Sequence, residues 1–192
     1  MPFSPFFTSA ILIAIAEMGD KSQLAALAFA TRYSAKVTLA GIFVATLLVH
    51  LVSVLAGELI GVALPTFWIQ LMSGIAFVGF GLWTLRGDTY ADDQHRGLQR
   101  FGPFAAVAGT FFLAELGDKT MLATITLGSQ LDSFWQVWLG STLGMVAADA
   151  VAIVIGRWLG KRLPERLIRL CAAGIFLLFG VWTIASTLVG SR

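Results

Sequence analysis

Apolar residues run almost unbroken through six stretches of this chain, approximately 6 to 30, 37 to 60, 67 to 86, 103 to 128, 134 to 158 and 167 to 189, with short polar connections between them. Each is long enough to cross a hydrocarbon core, which takes about 20 mostly apolar residues. The pattern predicts an all-α membrane protein of six transmembrane helices. Few polar residues interrupt these stretches, and the interruptions recur: an acidic sequence in the first and fourth, and a single ionisable residue, His50 or Asp149, midway along the second and fifth.

The recurrence extends along the chain. A shift of 98 positions lays Ala16 to Ala25 on Ala114 to Ala123 with seven identities in ten, and so sets EMGDKS (Glu17 to Ser22) on ELGDKT (Glu115 to Thr120). Beyond the first connection the shift becomes 99, matching Gly41 with Gly140, Gly57 and Gly61 with Gly156 and Gly160, and Phe80-Gly81-Leu82-Trp83-Thr84 with Phe179-Gly180-Val181-Trp182-Thr183. The expected organisation is a first three-helix repeat over 1–86, a cytosolic linker over 87–101 and a second repeat over 102–192. Three helices per half is an odd number, so the second half enters the membrane from the opposite side. Inverted repeats of this kind are a recurrent transporter architecture, with the substrate site near mid-membrane where the halves meet. Small-xxx-small pairs, such as Gly140 and Gly144, are expected to pack helix backbones closely.

Composition agrees with the pattern: 57% of the 192 residues are hydrophobic and 12% charged, with a mean hydropathy of +0.83. The opening MPFSPFF carries no Lys or Arg and does not read as a cleavable signal peptide. Of the basic residues, ten lie in the connections after helices 1, 3 and 5 and only Arg192 on the other side. By the positive-inside rule both termini lie outside the cytosol. Sidedness thus accounts for the basic charge without a nucleic-acid partner. The single cysteine, Cys171, excludes disulfides and cysteine-rich metal sites within one chain and is expected to pack as a small residue.

The acidic sequence carries the chemistry. Glu17 and Asp20, like Glu115 and Asp118, are three apart, which in a continuous helix puts each pair on one face. Each ionised side chain at this depth costs about 2.5–3.5 kcal/mol on insertion scales, so a partner is required. Internal salt bridges from Glu17 to Lys21 and from Glu115 to Lys119, each at i to i+4, would satisfy half of the carboxylates. A divalent cation would cancel the net charge of four carboxylates and two lysines. The oxygen-rich set, with Ser22, Thr120 and Gln23 as further candidate ligands, suits Ca²⁺, Mg²⁺ or Mn²⁺, whereas the thioether of Met121 would favour Mn²⁺. The central glycines, Gly19 and Gly117, offer places for the helix to open. Crowded carboxylates in a partly dry site can take up protons or metal, and competition between the two is the simplest form of metal/proton exchange. Asp149 and His50 are candidates for a proton relay.

The duplicated E-x-G-D-K-[S/T] sequence, on the first helix of each half, resembles the signature of the GDT family of cation/proton exchangers, and the resemblance covers nearly the whole chain. It implies that Glu17, Asp20, Glu115 and Asp118 form the cation site, that protons drive transport, and that a bacterial member of this size exports Mn²⁺ from the cytosol. No bound cofactor is expected, only transported Mn²⁺ or Ca²⁺ and H⁺. A Ca²⁺/H⁺ exchanger is the nearest alternative. From other classes, an intramembrane metal-dependent hydrolase lacks an HExxH sequence and an evident nucleophile, and a non-transporting membrane scaffold would take up no metal.

Overall fold

A computed structural model describes residues 4–86, 101–159 and 165–190, and every element in it is helical. Eight helices follow one another: α1 (Pro5–Glu17), α2 (Lys21–Arg32), α3 (Ala35–Ala63), α4 (Thr66–Arg86), α5 (Pro103–Glu115), α6 (Lys119–Gln130), α7 (Phe134–Leu159) and α8 (Glu165–Gly190). Within α3, α4, α7 and α8 lie four segments long and apolar enough to cross a membrane. Local signals set several boundaries. Pro5 and Pro103 open α1 and α5, where a fixed φ suits the first turn and no N–H is lost. The Ser34 side chain accepts the N–H of Val37 at the start of α3. Pro65 follows the end of α3 by two residues, as a residue that cannot continue it.

Two of the six expected helices are interrupted, at the glycines where the sequence offered a place to open. The first and fourth stretches are each two short helices joined at the acidic sequence, so eight helices stand where six were expected. The cause lies in the backbone: Gly19 has φ +74° and Gly117 φ +80°, a left-handed conformation that interrupts a right-handed helix and that glycine adopts without a Cβ clash. Glu17 and Asp20 therefore do not sit on one helical face, and neither do Glu115 and Asp118.

The elements of the second half follow those of the first at the spacing of the sequence repeat, and they pack in corresponding pairs: α1 on α7 and α5 on α3, α2 on α7 and α6 on α3, α4 on α8. Helices α4 and α8 run antiparallel, since Gly74 lies against Gly180 and Ile184 while Gly81 lies against Ala173 and Leu177. At their crossing Phe77 and Phe176, 99 positions apart, stack with ring centroids 6.0 Å apart and planes 18° from parallel. Glycines let the broken helices lie close to the long ones. A Cβ on Gly140 would strike Ser9 and the Phe6 carbonyl, one on Gly144 the backbone of Ala10, and one on Gly41 would come within 2.8 Å of Val107. The outer surfaces are apolar, with Val52, Leu59, Val154, Leu178 and Trp182 exposed, as expected for a chain with lipid around it.

Residues 87–100 of the linker expected over 87–101, and the basic residues Lys161 and Arg162, lie outside the described residues; Arg32, Lys36, Arg86 and Arg166 are exposed. Cys171 is exposed on α8 and is not a packing residue.

Candidate cation site

The two helix breaks come together inside the protein. Glu17 is the last residue of α1 and Glu115 the last of α5; both are fully buried, at 0% and 1% exposure. Asp20 and Asp118 are the N-caps of α2 and α6, and they too are buried. The placements differ electrostatically. An aspartate at a helix N-terminus faces the positive end of the helix dipole, and Asp118 accepts the N–H of Lys119 at 2.8 Å. A glutamate at a helix C-terminus adds its charge to the partial negative charge of the last carbonyls. Each break thus gathers negative charge on one side and partial positive charge on the other.

Within each break the same hydroxyl meets the same acid. The Ser22 hydroxyl donates to Glu17 Oε1, and that of Thr120 donates to Glu115 Oε2 at 2.5 Å. Among the described residues the other oxygens, Glu17 Oε2 and Glu115 Oε1, have no hydrogen-bond partner although they are buried. Each glycine N–H is also held by the corresponding side chain: Gly19 donates to Gln23 Oε1 at 2.9 Å, and Gly117 to Met121 Sδ at 3.2 Å. Gln23 and Met121, expected as candidate ligands, therefore fasten the breaks.

The internal salt bridge between Glu115 and Lys119, the alternative to a bound cation, is not found among the described residues. With the helix broken between them they are no longer one turn apart, and the Lys119 ammonium crosses to the other half and pairs with Asp20 Oδ1 at 2.7 Å. Both side chains are dry, at 2% and 0% exposure. For Lys21 only its place at the start of α2 is described.

Glu17 repels Glu115, Asp149 and Asp20 and is drawn to Lys119, so acids of both halves share one electrostatic environment. Even so, among the described residues no three His, Cys, Asp or Glu side chains stand close enough together to ligate one ion. Asp149, on α7, belongs to this environment, whereas His50, on α3, is buried with its Nδ1 3.4 Å from Thr142 Oγ1 and has no carboxylate partner among the described residues. The sequence indicated neither the hydroxyl–glutamate pairs nor the crossed lysine, because both depend on the helix being broken. The five-residue spacing that repeats from Glu17 to Ser22 and from Glu115 to Thr120 is the one signal of the former.

Comparison with known proteins adds an independent observation. The family described as "Divalent cation/proton antiporter GDT1" matches residues 5–92 and, separately, residues 103–191. A Vibrio cholerae protein named as a candidate manganese exporter is 36% identical over 173 residues, which cover 89% of this chain and 86% of that protein. GDT1-like protein sll0615 of Synechocystis is 27% identical over 201 residues, covering 93% and 97%, and GDT1-like protein 5 of Arabidopsis thaliana is 24% identical over 216 residues, covering 93% and 94%. No solved structure matches.

Proposed function

The chain belongs to the GDT1 family of divalent cation/proton antiporters, a family of transporters and not of enzymes, and on that premise we propose that it exports Mn²⁺ from the cytosol in exchange for protons. The observation that carries this reading is the pair of buried glutamate oxygens, one at each helix break, that accept no hydrogen bond among the described residues. A buried carboxylate oxygen without a donor is costly. Either a proton or a cation relieves that cost, and an exchanger brings each in turn.

In the proposed cycle Glu17, Asp20, Glu115 and Asp118 bind the cation, drawn together from the two breaks. Ser22 and Thr120 hold one oxygen of each glutamate, which leaves the other for proton or metal. A divalent ion that gathers the carboxylates displaces Lys119 from Asp20, and the lysine returns when the ion leaves. The oxygen donors suit Mn²⁺ and Ca²⁺ alike. Manganese is put first because the name of the 36% identical Vibrio cholerae relative points to it.

The proposed architecture has six membrane spans, α1–α2 and α5–α6 each crossing as one broken span, and two inverted halves with both termini outside the cytosol. The antiparallel run of α4 and α8, the corresponding packing pairs and the double family match support it. Broken spans with their breaks at the repeat interface suit a binding site, since helix ends there face substrate instead of lipid. Purified protein in proteoliposomes tests the reading. An imposed pH gradient is expected to drive Mn²⁺ uptake, with Ca²⁺ transported less well. Ca²⁺ transport in preference to Mn²⁺ would favour the calcium exchanger, and movement of neither ion would overturn the proposal.

A further inference from the structure

Asp149 is a more acute electrostatic problem than any acid of the two repeated sequences. It lies midway along α7 at 0% exposure, and neither of its carboxylate oxygens has a hydrogen-bond partner among the described residues. Glu17 and Glu115 each retain a hydroxyl donor; Asp149 has none. A bare carboxylate in such a place carries a proton or stands against a cation.

Its position is fixed to the first helix break. Gln23, whose Oε1 holds the N–H of Gly19, uses its Nε2 to donate to the carbonyl of Ala148 at 3.3 Å, so the residue beside Asp149 is tied to the break in the first half. The acids around Asp149 come from both halves: its field reaches Glu17, at the end of α1, and Glu115, at the end of α5, and it feels that of Asp20, at the start of α2. The ammonium of Lys119, at the start of α6, is engaged by Asp20.

The repeat has no second copy of this residue. The equivalent position, 99 residues earlier, is His50 on α3. That ring is also buried, but it faces Thr142 on α7, and the Thr142 hydroxyl in turn donates to the Trp138 carbonyl at 2.8 Å. One half supplies an acid to the centre and the other does not.

We propose that Asp149 is a fifth acidic group of the cation site, contributed by α7 of the second half alone, so that the site is asymmetric although the sequences that form most of it are duplicated. The proposal rests on the exchanger reading given above. It implies that the site holds one more negative charge than the two repeated sequences supply, so Asp149 adds to cation affinity directly. His50 then takes no part in binding.

Mn²⁺ binding to the purified full-length chain in nanodiscs, followed by calorimetry together with the Mn²⁺-induced rise in melting temperature, tests this. Asp149→Asn, nearly isosteric, is expected to weaken Mn²⁺ binding by about 10-fold to 100-fold, the loss that follows removal of a supporting group at a metal site. Asp149→Glu keeps the charge and is expected to retain most of the affinity, and His50→Gln to bind as wild type. A packing role predicts the reverse order, with Asn silent and the longer Glu harmful. Asp149→Ser removes the charge with a smaller side chain and answers the question should the Asn variant not fold. Wild-type affinity in a folded Asn or Ser variant, while Glu17→Gln fails to bind, would overturn this inference alone. No Mn²⁺ or Ca²⁺ binding by the wild-type chain would instead remove the exchanger reading beneath it.

Discussion

Lys119 reaches across the repeat to Asp20, at 2.7 Å, and leaves Glu115, four residues before it in its own sequence, to the hydroxyl of Thr120. The two helix breaks are therefore one electrostatic unit. Truncating one partner of a buried ion pair costs about 3–5 kcal/mol, because a desolvated charge is left behind. Lys119→Gln is expected to lower the melting temperature of the detergent-solubilised protein markedly, and Asp20→Asn to do so as well. The double variant should lose less than the sum of the two, since the pair acts together. Strict additivity in thermal unfolding would mean that the two residues do not depend on each other.

Gly117 isolates the role of the backbone. A Cβ added there meets nothing within 4 Å, so Gly117→Ala creates no clash, yet its φ of +80° disfavours any L-residue with a side chain. The expected cost is about 1–2 kcal/mol in stability, and transport should fall with it. Asn tolerates this conformation better than Ala, so Gly117→Asn should recover part of both. Equal behaviour of the Ala and Asn variants in unfolding and flux assays would show that the left-handed turn is not what matters.

Thr120→Val keeps the shape and removes the hydroxyl that holds Glu115. The acid then has neither oxygen hydrogen-bonded among the described residues, a loss of about 1–3 kcal/mol for a buried group. Thr120→Ser should be nearly silent, because serine serves the same acid in the first half, at position 22. Initial rates of Mn²⁺ transport distinguish the two: slow for Val and close to wild type for Ser.

Helix packing gives a prediction that should leave the binding chemistry intact. A side chain at Gly144 would meet the backbone of Ala10, so Gly144→Val should drive α1 from α7 and destabilise the fold by about 1–3 kcal/mol. Gly174, where a Cβ would meet nothing, should accept Ala with little change. Melting temperatures of the two variants in the same detergent provide the comparison.

The hydrophobic pattern marked six stretches within which the eight helices of the described residues fall, because lipid demands long apolar runs, and the repeat was legible in the identities under a shift of 98 to 99 positions. The helix breaks were not determined by it. Gly19 and Gly117 are permissive in sequence, and only the surrounding contacts, Gln23 and Met121 on the glycine N–H groups, decide that the chain turns there. Once it turns, helical spacing no longer predicts partners, and Lys119 pairs with Asp20 instead of with Glu115, four residues before it. By sequence His50 and Asp149 occupy equivalent positions and both are candidates for a proton relay, with Asp149 favoured. Their surroundings separate them: Thr142 beside one, the motif acids beside the other.

The position of the bound cation decides whether the two helix breaks form one site. Anomalous scattering from crystals of the protein grown with Mn²⁺ locates the ion and its ligands in one measurement. A peak between the two helix breaks, with oxygens of Glu17, Asp20, Glu115 and Asp118 around it, is the predicted result. A peak remote from all four carboxylates would contradict it.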